Sequence, residues 1–181
     1  MKKLNKYVTN PDTCIIIPKY DEYGDLLSIV IEIERVFLVN MRPIEIINFS
    51  LLNHASSYRG ATDGAKYLLG NTTMTPIMIS EKQSIYCFPT MSPLNNNCVW
   101  LFLGQYKNHK YVNKKRVEVL FKNDHSIVLD VSQKSFEKKL QKAYRLKDRI
   151  DKQGQEEVDI DELSKVTICR DPESNSYIVM D

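Results

Sequence analysis

Basic side chains crowd one stretch of this 181-residue sequence. Residues 107–152 hold 14 Lys and Arg against 6 Asp and Glu, whereas residues 1–106 hold 9 against 9 and residues 153–181 hold 2 against 8. A block at net +8 suits a polyanionic partner, and a tail at net −6 could act as its internal mimic. Inside the block, Lys114-Lys115-Arg116 form one cluster directly before a hairpin, and Lys138, Lys142, Arg145 and Arg149 recur at helical spacing on one long face. A third candidate lies upstream, where Ser56, Ser57, Tyr58 and Arg59 supply hydroxyls and a guanidinium. There Gly60 and Gly64 would let the backbone approach a phosphate ridge or a groove wall closely.

Other chemistries fit the residues less well. Cys87, Cys98 and His109 fall 11 apart, a spacing that matches no zinc site, so neither a metal nor any other cofactor is expected. A Cys98-His109-Asp constellation has no recognisable nucleophile context. Residues 60–66 imitate a phosphate-binding loop but have three residues between the glycines rather than four, and Tyr67 follows Lys66 where a hydroxyl amino acid is needed. The four cysteines form no C-x-x-C pair and read as reduced thiols. The apolar runs are far shorter than the roughly 20 residues that span a bilayer. The first residues are basic without an apolar run behind them, so a cytoplasmic protein is expected.

The elements that must position these residues are mostly strands. Residues 14–17 and the Ile- and Val-rich stretch 26–39 form an expected hairpin around a turn at 20–25. Pro43 opens a helix to about Asn53, with Ile44, Ile47 and Leu51 on one side. The first half of 55–69 reads as loop, and Gly70 closes a short helix at its end. Strands are expected at 75–80, 84–89 and 99–103, and a clear hairpin joins 117–121 to 127–131 through Asn123-Asp124. Residues 133–152 contain no Pro or Gly and give the strongest helix, with Phe136, Leu140, Ala143, Tyr144 and Ile150 on its apolar side and Asp130 or Ser132 as its cap. Residues 166–169 and 177–180 suggest a small terminal hairpin. The fold class is therefore α+β, a strand-rich antiparallel assembly with a few short helices and a basic C-terminal helix. The expected organisation is a domain at 1–153 followed by an acidic tail at 154–181.

Several of these segments recur together in one known family. His54-Ala-Ser-Ser-Tyr-Arg-Gly60 with Gly64, Thr75-Pro-Ile-Met-Ile-Ser80, Ser84-Ile-Tyr-Cys-Phe-Pro-Thr-Met-Ser92 and Asn97-Cys-Val-Trp100 resemble, in order, motifs of the ComK-type competence transcription factors of Gram-positive bacteria. The run 117–131, Ser135-Phe136 and Asp148-Arg-Ile150 extend the resemblance over roughly residues 30–152. It implies a DNA-binding, nucleoid-associated activator of DNA-uptake genes that binds AT-rich boxes through the minor groove as a dimer or dimer of dimers. It also implies RNA polymerase and a protease adaptor as protein partners. The chain departs from the family in placing Arg59 before Gly60 and Ala61 after it, and its tail lacks the aromatic-Met-Leu-Tyr-Pro-Lys type of segment tied to adaptor binding. The resemblance implies no catalysis. The alternative reading is a regulator whose basic face meets an acidic protein.

Overall fold

The computed structural model describes residues 1–153, 167–171, 174 and 176–180. Two units are distinguished: Met1–Asp151, which carries every candidate residue, and Lys152–Asp181. The chain runs through β1 (Lys3–Leu4), β2 (Thr13–Tyr20), β3 (Leu26–Glu32), β4 (Val36–Val39), α1 (Pro43–Asn53) and α2 (Tyr58–Leu69). Then come β5 (Ile77–Ser80), β6 (Ile85–Pro89), β7 (Trp100–Phe102), β8 (Tyr106–Asn113), β9 (Arg116–Phe121), β10 (Ser126–Leu129) and α3 (Gln133–Gln153). In the second unit β11 (Thr167–Arg170) pairs antiparallel with β12 (Tyr177–Met180), which is the expected terminal hairpin; Val166 lies outside the described residues.

The first seven strands form one sheet in the order β1-β4-β3-β2-β7-β6-β5, and β8 to β10 form a second of three strands. All pairs are antiparallel except β1 with β4. The large sheet is buried on both faces, which its sequence requires. Successive residues of a strand point to opposite faces, and its central strands are apolar at both. Ile16, Cys87, Trp100 and Phe102 meet Ile46, Ile47 and Leu51 of α1 on one side. Ile15, Phe88 and Leu101 meet Val117, Val119 and Phe121 of β9 and Phe136, Leu140 and Ala143 of α3 on the other.

Three local readings change. The stretch 26–39 is two strands, because the chain reverses at 33–35 and the Glu32 amide donates to Arg35 O at 2.8 Å. The segment 106–113, unassigned from sequence, is the eight-residue edge strand β8. Tyr144 is 45% exposed, and the inward positions of α3 are instead filled by Leu146 and by Lys139. The Lys139 ammonium donates to Ser135 Oγ at 2.6 Å, and burial pulls its pKa down.

One buried carboxylate fastens the end of β3. Glu32 is 1% exposed; its Oε1 accepts from the Tyr7 hydroxyl at 2.8 Å and from Asn10 Nδ2 at 2.7 Å, and its Oε2 accepts from Arg35 Nε at 2.7 Å. Burial first, and the neighbouring carboxylate next, hold the Tyr7 phenol well above its usual range. Removing the carboxylate takes away a charged acceptor shared by the buried Tyr7 hydroxyl, the Asn10 amide and Arg35. Glu32→Ala should therefore lower unfolding free energy by about 2 to 3 kcal/mol, while exposed Glu34→Ala should change it by less than about 0.5 kcal/mol. Urea titration of both variants measures the contrast.

Candidate nucleic-acid interface

Residues 58–69 are helical, so the loop expected around Gly60 is not there. The apolar positions Tyr58, Ala61, Ala65, Leu68 and Leu69 fall at i, i+3, i+7, i+10 and i+11, a helical period that two interior glycines obscure. Tertiary burial outweighs the glycine cost of about 1 kcal/mol each. The start is well built: Ser57 Oγ accepts from the Gly60 amide at 3.1 Å, and Asn48 Oδ1 of α1 accepts from the Tyr58 amide at 3.1 Å. Ala55, at φ 57°, turns the chain between the two helices. Gly70, at φ 84°, ends α2 as expected from sequence.

This changes the setting of each upstream candidate. Tyr58 turns inward, its ring edge-on to Trp100 at 6.3 Å, and burial raises its phenol pKa. Ser57 is the cap and Ser56 is half-buried beside it. Arg59 stands on the first turn of the helix with its side chain 93% exposed, loosely paired with Asp63 at 3.9 Å. Gly60 and Gly64 lie on the same outward side. Neither has a positive φ, and a Cβ at Gly64 would meet nothing within 4 Å. The fold does not need these two glycines, and they leave the helix flank bare.

Lys114-Lys115-Arg116 lead directly into the hairpin of β9 and β10 as expected, and Lys114 and Lys115 are also the turn that joins β8 to β9, with Arg116 the first residue of β9. Lys114 and Lys115 are the two exposed loop residues, and Asn113 Oδ1 accepts from the Lys115 amide at 2.9 Å. Arg116 Nε donates to Asp130 Oδ1 at 2.7 Å, which ties the hairpin to the segment leading into α3. Asp130 is thus taken, and Ser132 caps α3, its Oγ accepting from the Ser135 amide at 3.3 Å. His109 adds a second brace, with Tyr106 Oη 2.7 Å from its Nδ1 and Glu137 Oε1 3.1 Å from its Nε2.

Along α3, Lys138, Arg145 and Arg149 are exposed and Lys142 is partly so. From 138 to 149 this stripe runs about 16 Å at 1.5 Å per residue. None of the four is within ion-pair distance of a carboxylate among the described residues. Lys142 Nζ donates to Thr73 O at 3.3 Å, placing the middle of α3 against the connection that follows α2. Helix α3 is therefore tied to the hairpin near its start and to the connection after α2 at its middle, the latter at the opposite end of α2 from Arg59. Cys98 and His109, paired on paper for covalent chemistry, lie apart: Cys98 belongs to the cluster under α1, whereas the His109 ring on β8 lies against Phe136 of α3 on the other side of the large sheet. Burial also raises the Cys98 thiol pKa.

Residues 4–155 match the family model described as ComK protein. The chain is 32% identical over 152 residues to a protein of Bacillus subtilis (strain 168) named competence transcription factor, a match covering 82% of this chain and 79% of that relative. The chain belongs to the ComK family. No solved structure matches it. The ComK match runs from β1 to the end of α3 and takes in α2, the β8–β9 hairpin and the α3 stripe, while β11 and β12 lie beyond it. ComK membership makes transcription regulation the function class.

The geometry of α2 gives a stability test that does not depend on any ligand. Gly64→Ala should raise unfolding free energy by about 0.5 to 1 kcal/mol, since a helical φ and open space admit the methyl group. Ser57→Ala should lower it by about 1 kcal/mol through loss of the cap. Thermal unfolding of the two variants reads both signs.

Proposed function

We propose that this chain is a regulator of competence genes that acts by binding duplex DNA with AT-rich preference. The observation that carries this reading is the α3 stripe, four cations at helical spacing with no carboxylate partner among the described residues. Cations held apart from carboxylates stay available to neutralise phosphates and release counterions, which supplies affinity without sequence information. Lys114 and Lys115 at the hairpin tip add to the same surface charge.

Sequence preference needs a second element, and α2 suits it. A-tracts have a narrow, strongly negative minor groove that attracts an inserted Arg or Lys. A whole helix is too wide for that groove, but a guanidinium extending from its first turn is not. Arg59 extends from such a turn, and the bare flank at Gly60 and Gly64 lets the backbone come close to the groove wall. Ser56 and Ser57 lie at the helix N-terminus, where backbone dipoles favour a phosphate. Tyr58 acts as the anchor that holds the turn against Trp100.

Paired AT boxes call for a two-fold protein, so the active species is a homodimer, or two dimers on a longer site. RNA polymerase and a protease adaptor remain the protein partners of this reading, which places the protein in the cytoplasm at the nucleoid. The tail from 154 onward modulates binding rather than performing it, either through its net charge of −6 or as an assembly surface.

A mobility shift on AT-rich against GC-rich duplex tests the function. Clear AT preference is expected; equal, weak retention of both would favour an acidic protein partner instead. Arg59→Ala should lose the AT preference, whereas Lys142→Ala with Arg145→Ala should weaken binding to all sequences alike and lower the salt slope by about 2. Sedimentation at micromolar concentration should show a dimer, and a strict monomer both free and on DNA would contradict it.

A further inference from the structure

The tip of the β8–β9 hairpin carries more than charge. Tyr111 is 60% exposed and Val112 44% exposed, an apolar pair next to Lys110, Lys114, Lys115 and Arg116. The pairing register slips between Tyr111 and Asn113, because Tyr111 faces Val117 and Asn113 faces Arg116. Val112 is therefore an extra residue with no partner on β9. Such bulges bend a strand and re-aim a side chain, and they concentrate beside functional sites. Behind the tip, the Arg116–Asp130 ion pair ties the ribbon to the segment before α3, and His109 reaches Glu137 of α3. The projection is braced at its base, cationic at its turn and apolar just behind that turn.

We propose that Tyr111 and Val112 form a wedge that enters the DNA at a base step while the surrounding cations hold the phosphates on either side. This rests on the reading that the chain binds duplex DNA. Charge complementarity selects that occupant: a second copy of β8 along this edge would set its cationic residues against their own kind, and like charges placed directly opposite each other are destabilising. A polyanion meets them with opposite charge. Apolar side chains inserted at a step unstack it and kink the duplex, and pyrimidine–purine steps, abundant in AT-rich sequence as TA, yield most easily. The wedge thereby adds selectivity for deformable sequence to the groove contact of Arg59.

The test uses the full chain and an AT-rich duplex carrying 2-aminopurine at its TA steps, with affinity measured across a salt series. Wild type should bind and raise 2-aminopurine fluorescence through unstacking. Tyr111→Ser with Val112→Ser should bind about tenfold or more weakly at every salt concentration with an unchanged slope, and should lose the fluorescence rise even at saturation. Lys114→Ala with Lys115→Ala should do the reverse, lowering the slope by about 2 and keeping the rise at saturation. Tyr111→Phe, which keeps the ring, should match wild type. Wild-type binding without a fluorescence rise overturns the wedge and leaves DNA binding intact, as does a double-serine variant indistinguishable from wild type. Failure of wild type to bind the duplex at all overturns both readings.

Discussion

Burial of the large sheet on both faces is the constraint from which the rest of the architecture follows. Strands β2, β6 and β7 are apolar at consecutive positions, as in Ile15-Ile16, Cys87-Phe88 and Trp100-Leu101-Phe102, so neither face can be left to water. One side takes α1 and the start of α2; the other takes the three-stranded sheet and α3. Fully burying each large apolar side chain contributes about 1.5 to 3 kcal/mol, so these covering elements are fixed in place. What they turn outward is fixed with them.

Helix α3 shows how one element meets both demands. Phe136, Leu140, Ala143, Leu146 and Ile150 close the core, and the opposite side is free to carry Lys138, Arg145 and Arg149. Arg116–Asp130 couples its start to the hairpin, and Lys142 couples its middle to the connection after α2. The hairpin cations and the α3 stripe thus share one rigid support, while Arg59 stands at the start of α2, whose Tyr58 packs on the other side of the large sheet.

How much of this was legible in the sequence depended on how clearly burial was written in each segment. The β9–β10 hairpin was plain because Val117, Val119 and Phe121 alternate cleanly against Ile127 and Leu129, and α3 because no Gly or Pro interrupts it. Helix α2 was hidden by Gly60 and Gly64, whose local propensity opposes the helix that tertiary packing enforces. Its apolar spacing from Tyr58 to Leu69 was the signal that reveals it. Strand β8 was hidden for another reason: it is an edge strand with register slips at Lys107 and Val112, so its side chains follow no period of two. Of the candidate site residues, the basic clusters were visible as composition, but the roles of Tyr58 as an anchor and Arg116 as a brace depend on distant partners, Trp100 and Asp130, that no local pattern specifies.

In the proposed function the cations carried outward by these covering elements form the DNA-binding surface. Lysine acetylation footprinting of the full chain, with and without AT-rich duplex, tests it most directly. Strong protection of Lys114, Lys115, Lys138 and Lys142 on DNA is expected, with Lys19, exposed near the end of β2, and Lys82, exposed in the turn between β5 and β6, reacting as before. Unchanged reactivity at the first four, or protection centred on Lys19 and Lys82, would contradict it.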